Sequence, residues 1–217
     1  MSDVNELTID HFLDLVSQRT PTPGGGGVTG LAGALACALG RMVCAYSIRK
    51  DNDAETREAA DKAGDHLLRS DQILRALIDR DAVAYTKMAT ASKNRHAGQG
   101  RDGDAEAAFQ EAVIDATAVP MEMAAVASNA LRAMDEFKTA ANRHLLSDLA
   151  IAAVLADATA RAARCTMWVN APLIADAHRR TKIMTNMDRI MLHCAHHLAS
   201  VEAFVHRHIE ENAAANR

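Results

Sequence analysis

The chain has 217 residues, of which 49% are hydrophobic and 24% charged, and its formal net charge is −4. This composition excludes an intrinsically disordered chain, and the negative charge argues against a protein that binds nucleic acid without regard to sequence. Alanine fills 45 positions while aromatic residues supply only 3%. Because alanine is the strongest helix former and aromatic residues favour strands, we expect an all-α protein, with one domain over residues 1–217.

Apolar periodicity and helix breakers predict a bundle of about six helices. The first is a short amphipathic helix over 8–18, which the prolines of Thr20–Pro23 bring to an end. A long Ala/Gly-rich central helix follows over 28–49, directly after Gly24–Gly27. The remaining helices are predicted over 54–91, over 105–136 with a kink near Pro120, over 144–168 and, as one or two helices, over 173–212, with a loop over 92–104.

Residues 28–48 contain a single charged residue and approach the length of a membrane span. Arg41 lies well inside this segment, however, and its Gly/Ala-rich turns carry little hydrophobicity per residue. A buried central helix is therefore the better interpretation, and no membrane is expected as a partner. Gly30, Ala34 and Ala38 form a face of small side chains that would let a second helix approach closely.

The cysteines and the N-terminal residues bear on the compartment. Four cysteines are too few and too dispersed for a disulfide scaffold, and residues 1–12 lack the features of a secretory signal. We therefore expect a reduced, cytoplasmic protein.

The run Gly24–Gly27 leads into the N-terminus of a long helix. The GxGxxG pattern over 25–30 lacks the preceding strand that a dinucleotide-binding motif requires. Two interpretations remain open. The free N–H groups and positive dipole of the helix would accept an oxygen-rich or anionic ligand group, or the glycines simply turn a corner of the chain.

Asp81 is the most informative polar residue, because it shares a helical face with Leu77, Ile78, Ala84 and Tyr85. A carboxylate at a helix interface must form an ion pair, accept hydrogen bonds or carry a raised pKa. It is thus either a catalytic candidate or half of a structural ion pair with an arginine of another helix. Asp148 poses the same question less sharply, since it also fits the polar first turn of its helix.

Six of the ten histidines follow residue 177, and His193 and His197 have the spacing that lets two imidazoles share a metal. No HExxH glutamate or clustered carboxylate accompanies them. We therefore expect surface or interface histidines and no metal site.

Four blocks of sequence have a recognisable pattern together. They are PTPGGGGVTGLAGALACALGRMVCAYSI at 21–48, DAVAY at 81–85, AVPMEMA at 118–124 and LLSDLAIAAVLADATARAARCTMWVN at 145–170. These blocks, of which the first is the most specific, resemble the cyclodeaminase/cyclohydrolase family, which includes formiminotetrahydrofolate cyclodeaminase domains and stand-alone methenyltetrahydrofolate cyclohydrolases. The resemblance spans nearly the whole chain without a formiminotransferase half, and so suggests the stand-alone form.

The resemblance implies an all-helical homodimer that acts on the one-carbon bridge between N5 and N10 of a tetrahydrofolate, without a metal or cofactor. Asp81 matches the aspartate of the family's DxxAF/Y motif, which implies a catalytic role as base or electrostatic stabiliser. The residues expected to contact the folate are Gly24, Gly25, Gly26, Gly27, Lys50, Tyr85, Asn142, Asp148 and Asn170.

Three activities fit the resemblance. The first is hydrolysis of 5,10-methenyltetrahydrofolate to 10-formyltetrahydrofolate, and the second is release of ammonia from formiminotetrahydrofolate. The third is folate binding or protein interaction without catalysis, which is motivated by the absence of the family's lysine-rich stretch and LPK-type turn. The stand-alone architecture favours hydrolysis.

Overall fold

A computed structural model describes residues 6–49, 53–97 and 102–215. Over these residues the chain forms six α-helices, with two one-turn 3₁₀ helices between the fourth and the fifth and one between the fifth and the sixth. The helices are α1 (Ile9–Ser17), α2 (Gly25–Ser47), α3 (Ala54–His96), α4 (Asp102–Phe137), α5 (Leu146–Asn170) and α6 (Ala177–Ala215). The prediction of an all-α bundle is confirmed, and no strand occurs within the described residues.

Side-chain caps start two of the predicted helices close to their expected positions. Thr8 caps α1 by accepting a hydrogen bond from the backbone N–H of His11, at 3.2 Å. Asp53 caps α3 in the same way, with 2.7 Å between its Oδ1 and the backbone nitrogen of Thr56. On α1 the apolar stripe is narrower than predicted, because Phe12 is buried while Leu13 is exposed.

The start of α2 differs from the prediction. The helix begins at Gly25 and not after Gly27, so three of the four glycines form its first turn and Gly24 is its N-cap. The reason is packing: Gly26 and Gly27 are buried against neighbouring elements, which stabilises a helical conformation that glycine by itself disfavours.

Helices α2 and α3 pack antiparallel at close range along a stripe of small residues. A Cβ atom at Gly30 would lie 2.5 Å from Cγ1 of Ile78, and one at Gly33 would lie 2.9 Å from Cδ1 of Leu74. A Cβ atom at Gly40 would similarly lie 3.0 Å from Cδ1 of Leu67. The predicted face of small residues is therefore real but rotated: Ala34 is buried, whereas Ala38 is exposed.

This packing explains the apolar composition of α2. Of the described helices, only α2 is long and apolar enough to cross a membrane, and half of its most apolar window is buried inside the bundle. Helices α3 and α5 pack along it and α4 completes the core, while α6 covers α4 and α5. The central position predicted for this helix is thus the one that it occupies.

The remaining boundaries shift by a few residues. Helix α3 continues to His96, so the first five residues of the predicted 92–104 loop are helical. Helix α4 is assigned as one helix through Pro120, and residues 177–215 form a single helix where one or two were predicted. A 3₁₀ turn over Ala171–Leu173 separates α5 from α6, between the helices predicted over 144–168 and 173–212.

Candidate functional site

A cleft of about 540 Å³ opens at the end of the bundle where α2 begins. Its walls are the Thr20–Thr22 segment, the first turn of α2, the middle of α3 and the last turns of α5. Six of the residues predicted from the sequence line it together: Gly24, Gly25, Gly26, Asp81, Tyr85 and Asn170. Residues from three helices and a connecting segment, far apart in the chain, therefore meet in one pocket.

The carboxyl group of Asp81 lies directly against the backbone of Gly26. A Cβ atom added at Gly26 would overlap both carboxyl oxygens, so only glycine leaves room for them. The antiparallel register of α2 and α3, set by the glycine stripe further along, brings these two residues together. The first turn of α2 is thus built to accept an acidic side chain from α3.

The side chain of Asp81 is half-buried in the wall of the cleft. Among the described residues, no cation and no hydrogen-bond donor holds its carboxylate, and the ion pair with an arginine of another helix is not found. Burial raises the pKa of this carboxyl above its ordinary value of 3.8, with no opposing contribution from a neighbouring charge. An acid in this state is a stronger base once ionised than an exposed carboxylate.

The N-terminus of α2 supplies hydrogen-bond donors to the same cleft. The first intrahelical bond runs from the N–H of Val28 to the carbonyl of Gly24, at 3.0 Å. The N–H groups of Gly25, Gly26 and Gly27 therefore have no partner within the helix. Those of Gly25 and Gly26 belong to cleft residues, and the positive end of the helix dipole favours a partial negative charge there.

Tyr85 and Asn170 form other parts of the wall. Tyr85 lies one helical turn beyond Asp81 and keeps 44% of its surface exposed. Asn170 is buried, and its Nδ2 donates to the backbone carbonyl of Ala116 at 2.9 Å, which ties the end of α5 to α4. Asn170 thus has a structural contact beside any contact with a ligand.

Three described residues of the predicted folate-binding set do not line this cleft. Gly27 is buried beneath it against Pro23. Asn142 lies at the opposite end of α2, where its Nδ2 donates to the carbonyl of Tyr46 at 3.2 Å. Because Tyr46 follows Gly26 by twenty helical residues, Asn142 is about 30 Å away from Gly26. Asp148 lies in the first turn of α5, about 33 Å along that helix from Asn170. Lys50 falls outside the described residues.

Asn142 and Asp148 therefore do not share the Asp81 cleft within one chain. Asn142 caps the 3₁₀ turn over Arg143–Leu145, and its backbone N–H donates to the hydroxyl of Ser47 at 2.8 Å. Asn142 and Asp148 are therefore grouped at the far end of the molecule, because α2 and α5 each run its full length. The sequence alone could not show this separation, because the distance between two residues along a helix depends on where the helix begins and ends.

Sequence reasoning did not single out most of the apolar and hydroxyl residues of the wall. They are Thr20, Pro21, Thr22, Met88, Ala116, Cys165, Thr166 and Val169. A signal was available for two groups of them: the Thr-Pro repeat directly precedes the glycines, and Cys165, Thr166 and Val169 lie within five residues before Asn170. Met88 and Ala116 carry no chemical signal, because they contribute only shape.

His193 and His197 have the spacing of two metal ligands on one helix, but their surroundings in the structure differ from each other. His197 places Nδ1 2.8 Å from Oδ2 of Asp135, while His193 is exposed. Within the described part of the chain, no three His, Cys, Asp or Glu side chains are grouped as a metal site.

Comparison with known proteins gives consistent relatives. A family model described as formiminotransferase-cyclodeaminase matches residues 8–189. Over 178 residues the chain is 30% identical to a methenyltetrahydrofolate cyclohydrolase of Methylorubrum extorquens, covering 78% of this chain and 81% of that protein. It is also 30% identical over 151 residues to a formimidoyltransferase-cyclodeaminase of Mus musculus, covering 68% of this chain but 27% of that protein.

A solved structure shares the whole architecture. The crystal structure of a formiminotetrahydrofolate cyclodeaminase from Thermotoga maritima superimposes with a TM-score of 0.86, covering 95% of this chain and 99% of that one. The sequence identity is 24%, so this likeness bears on the fold.

Proposed function

The chain belongs to the formiminotransferase-cyclodeaminase family, and from this premise we propose that it hydrolyses 5,10-methenyltetrahydrofolate to 10-formyltetrahydrofolate in one-carbon metabolism. The observation that carries the proposal is the unpaired Asp81 carboxyl, seated on Gly26 in a cleft with free backbone N–H groups. The choice of hydrolysis is supported by the methenyltetrahydrofolate cyclohydrolase relative, most of whose length this chain matches.

In the proposed reaction Asp81 meets a cationic substrate. The methenyl bridge between N5 and N10 carries a delocalised positive charge, which an ionised carboxylate stabilises in a cleft from which water is partly excluded. Water attacks the bridging carbon and forms a C–O bond, while Asp81 accepts the proton that the water loses. A carboxyl whose pKa is raised by burial suits this step, because its greater basicity favours proton acceptance.

The intermediate then opens to product. The bond between the bridging carbon and N5 breaks, N5 takes up the proton held by Asp81, and the hydroxyl loses its proton as the formyl C=O forms on N10. The net change is one water consumed and one proton released. Gly25 and Gly26 line the cleft, and in this proposal their N–H groups donate to the oxygen as negative charge develops on it. These steps require only proton transfers, so we propose no metal or cofactor.

A cyclodeaminase is the second candidate, and the mouse relative favours it. In that reaction N10 attacks the formimino carbon and ammonia leaves, so the same carboxylate would serve as the proton acceptor. A folate-binding protein without turnover is the third. One set of assays separates all three: loss of the methenyl absorbance against the spontaneous rate, ammonia released from formiminotetrahydrofolate, and folate binding by calorimetry. We expect accelerated loss of methenyl absorbance, and its absence would exclude the proposal.

We further propose that the protein acts as a homodimer formed through the outer surfaces of α2 and α5, called here the α2/α5 face. Large apolar side chains are exposed along both helices: Val28, Leu35 and Tyr46 on α2, and Ile151, Val154 and Trp168 on α5. The face continues into the cleft, because Gly25 and Cys165 are exposed and also line it. Contiguous apolar surface of this kind is typical of an oligomer interface.

A twofold axis perpendicular to α2 would give the separated residues a common site. Each copy would then place the end that holds Asn142 and Asp148 beside the Asp81 cleft of its partner. Two variants that we expect to be inactive by themselves, Asp81→Asn and Asp148→Ala, test this arrangement when they are unfolded and refolded together. Composite sites predict recovery of about a quarter of the wild-type activity, because half of the molecules become heterodimers with one intact site.

The dimer itself has a matched test. We expect Ile151→Glu on the α2/α5 face to give a monomer in light scattering, while Leu192→Glu, at an exposed apolar position of α6, stays dimeric. A monomeric wild type would exclude the dimer.

A reduced, cytoplasmic setting is also proposed, and it is supported by the thiols: all four cysteines are free, and burial raises the pKa of Cys37 and Cys44 to about 12.

A further inference from the structure

A second cleft, of about 230 Å³, lies between α3 and α4, and its rim is cationic. Lys62, His66 and Arg69 follow one another at helical spacing on α3, and Arg132 faces them from α4. The remaining lining includes three alanines and Phe137, with Glu136 as the one acidic residue. Fifteen residues of α3 separate His66 from Asp81, about 22 Å along the helix, so this cleft is distinct from the folate site.

The cations of this rim are largely uncompensated. Neither Lys62 nor Arg69 forms an ion pair with any residue that the structure describes, although acidic residues are plentiful on α3. Arg132 donates Nη1 to Oε1 of Glu136 at 2.8 Å, and both side chains are about half exposed. With His66 neutral, three cations face one carboxylate, in a chain whose net charge is −4.

His66 reports the field inside this cleft. Burial lowers the pKa of its imidazole below the ordinary 6.5, and the charges of Arg132 and Arg69 lower it further, while Glu136 acts in the opposite direction. The charged groups that face it are thus Lys62 and Arg69 on its own helix and Arg132 and Glu136 on α4. An anion bound in the cleft would neutralise these positive charges. The imidazole would then take up a proton and donate a hydrogen bond to the anion, in addition to the lysine and the arginines.

We propose that this cleft binds a small dianion of the phosphate type, such as inorganic phosphate or a phosphate ester, held by Lys62, Arg69 and Arg132 over a floor of alanines. The guanidinium group of an arginine donates two parallel hydrogen bonds to phosphate oxygens, and the ammonium group of a lysine adds a compact positive charge. Together these groups suit a doubly charged tetrahedral anion. The small floor residues let the anion sit between the helices. His66 takes up a proton when the anion binds and donates to it.

The linkage has a defined sign. Because the bound dianion favours the charged imidazole, binding raises the pKa of His66, and by reciprocity the affinity for the anion increases as the pH falls below neutrality. Sulfate is the useful probe here, since it keeps its double charge over this range while phosphate does not. A pH-dependent affinity for sulfate therefore reports the protein group.

The experiment is a titration of the full-length protein with inorganic phosphate, and in parallel with sulfate, followed by NMR of the histidine ring C–H groups. His66→Gln identifies the His66 signal among the ten histidines. We expect this signal to move saturably toward its protonated position. Lys62→Gln and Arg69→Gln should each weaken the affinity about tenfold, because each removes one charge-assisted hydrogen bond.

The matched control is Arg189→Gln, which removes one charge from an exposed position of α6 outside the cleft and should leave the affinity unchanged. Both cleft variants change exposed side chains without partners, so they should fold as the wild type does. A His66 signal that moves linearly without saturation, or an equal effect of Arg69→Gln and Arg189→Gln, would show general screening of surface charge and overturn the proposal.

Discussion

Two carboxyl groups on neighbouring helices, those of Asp81 on α3 and Asp135 on α4, differ in their partners, although Asp81 is half-buried and Asp135 is buried. Asp135 accepts from Nζ of Lys138 at 2.7 Å and lies 2.8 Å from Nδ1 of His197. Burial acts to raise the pKa of Asp135, but hydrogen bonds from Lys138, His197 and Ser200 outweigh it and hold the pKa below 3.8. Burial acts alone on Asp81 and raises its pKa.

The comparison separates a structural acid from one available for chemistry. Asp71 and Asp157 resemble Asp135, since each is buried and bridged to an arginine four residues later. Of these four acids, Asp81 alone has a carboxylate without a cationic partner among the described residues, and this carboxylate packs against the bare backbone of Gly26. Burial therefore has opposite consequences according to whether the fold supplies donors.

The largest effect is expected for Asp81→Asn, which keeps the shape of the side chain and removes the proton acceptor. Hydrolysis of methenyltetrahydrofolate should fall by about 100- to 10,000-fold, the contribution of a positioned general base. Asp135→Asn is the matched variant and should retain most of the activity, because Asp135 lines no part of the cleft. Steady-state kinetics on both variants tests this expectation. Equal losses of activity would show that the difference in partners between Asp81 and Asp135 does not decide which acid is catalytic.

A smaller effect is expected for Gly26→Ala, whose added methyl group would overlap the Asp81 carboxyl. Either Asp81 moves or α2 and α3 separate, so activity should fall at least tenfold and stability by about 1–3 kcal/mol. Gly103→Ala is the control in the first turn of another helix, where a Cβ atom meets nothing within 4 Å. Thermal unfolding and activity of both variants test the contact, and wild-type behaviour of Gly26→Ala would refute it.

The smallest effect is a pair of opposite pH dependences in stability. The lowered pKa of Asp135 contributes stability above pH 3.8 that is lost as the pH falls through the folded-state pKa. Asp135→Asn should therefore cost about 1–3 kcal/mol at neutral pH and progressively less in acid.

The raised pKa of Asp81 gives the reverse sign. Its neutral form is favoured by folding below pH 3.8, and this advantage is lost as the pH rises through the folded-state pKa. Asp81→Asn should thus stabilise the protein at neutral pH and have no such effect in acid. Urea unfolding at several pH values measures both variants, and parallel pH profiles would contradict the difference drawn between the two acids.

Much of the fold could be predicted from residues that begin or end a helix through local interactions. Asp53 and Thr8 precede helices that they cap, and the prolines of Thr20–Pro23 end α1 as expected. Helix ends without such signals were misplaced: α3 runs on to His96 because Ser92–Arg95 has adequate helix propensity and no proline. The glycines were expected to precede α2 because glycine alone disfavours helix, and packing against α3 reverses that preference.

By itself, the sequence determined the helical class, the central position of α2 and the placement of Asp81 on an apolar face, because these depend on composition and on a 3.6-residue period. The packing of the helices is what brings Asp81 against Gly26, leaves it without a cation among the described residues, and puts Asn142 at the opposite end of the bundle. The physical reason is that these relations depend on the register of one helix against another. That register is set by close packing at Gly30, Gly33 and Gly40, through contacts between residues distant in the chain.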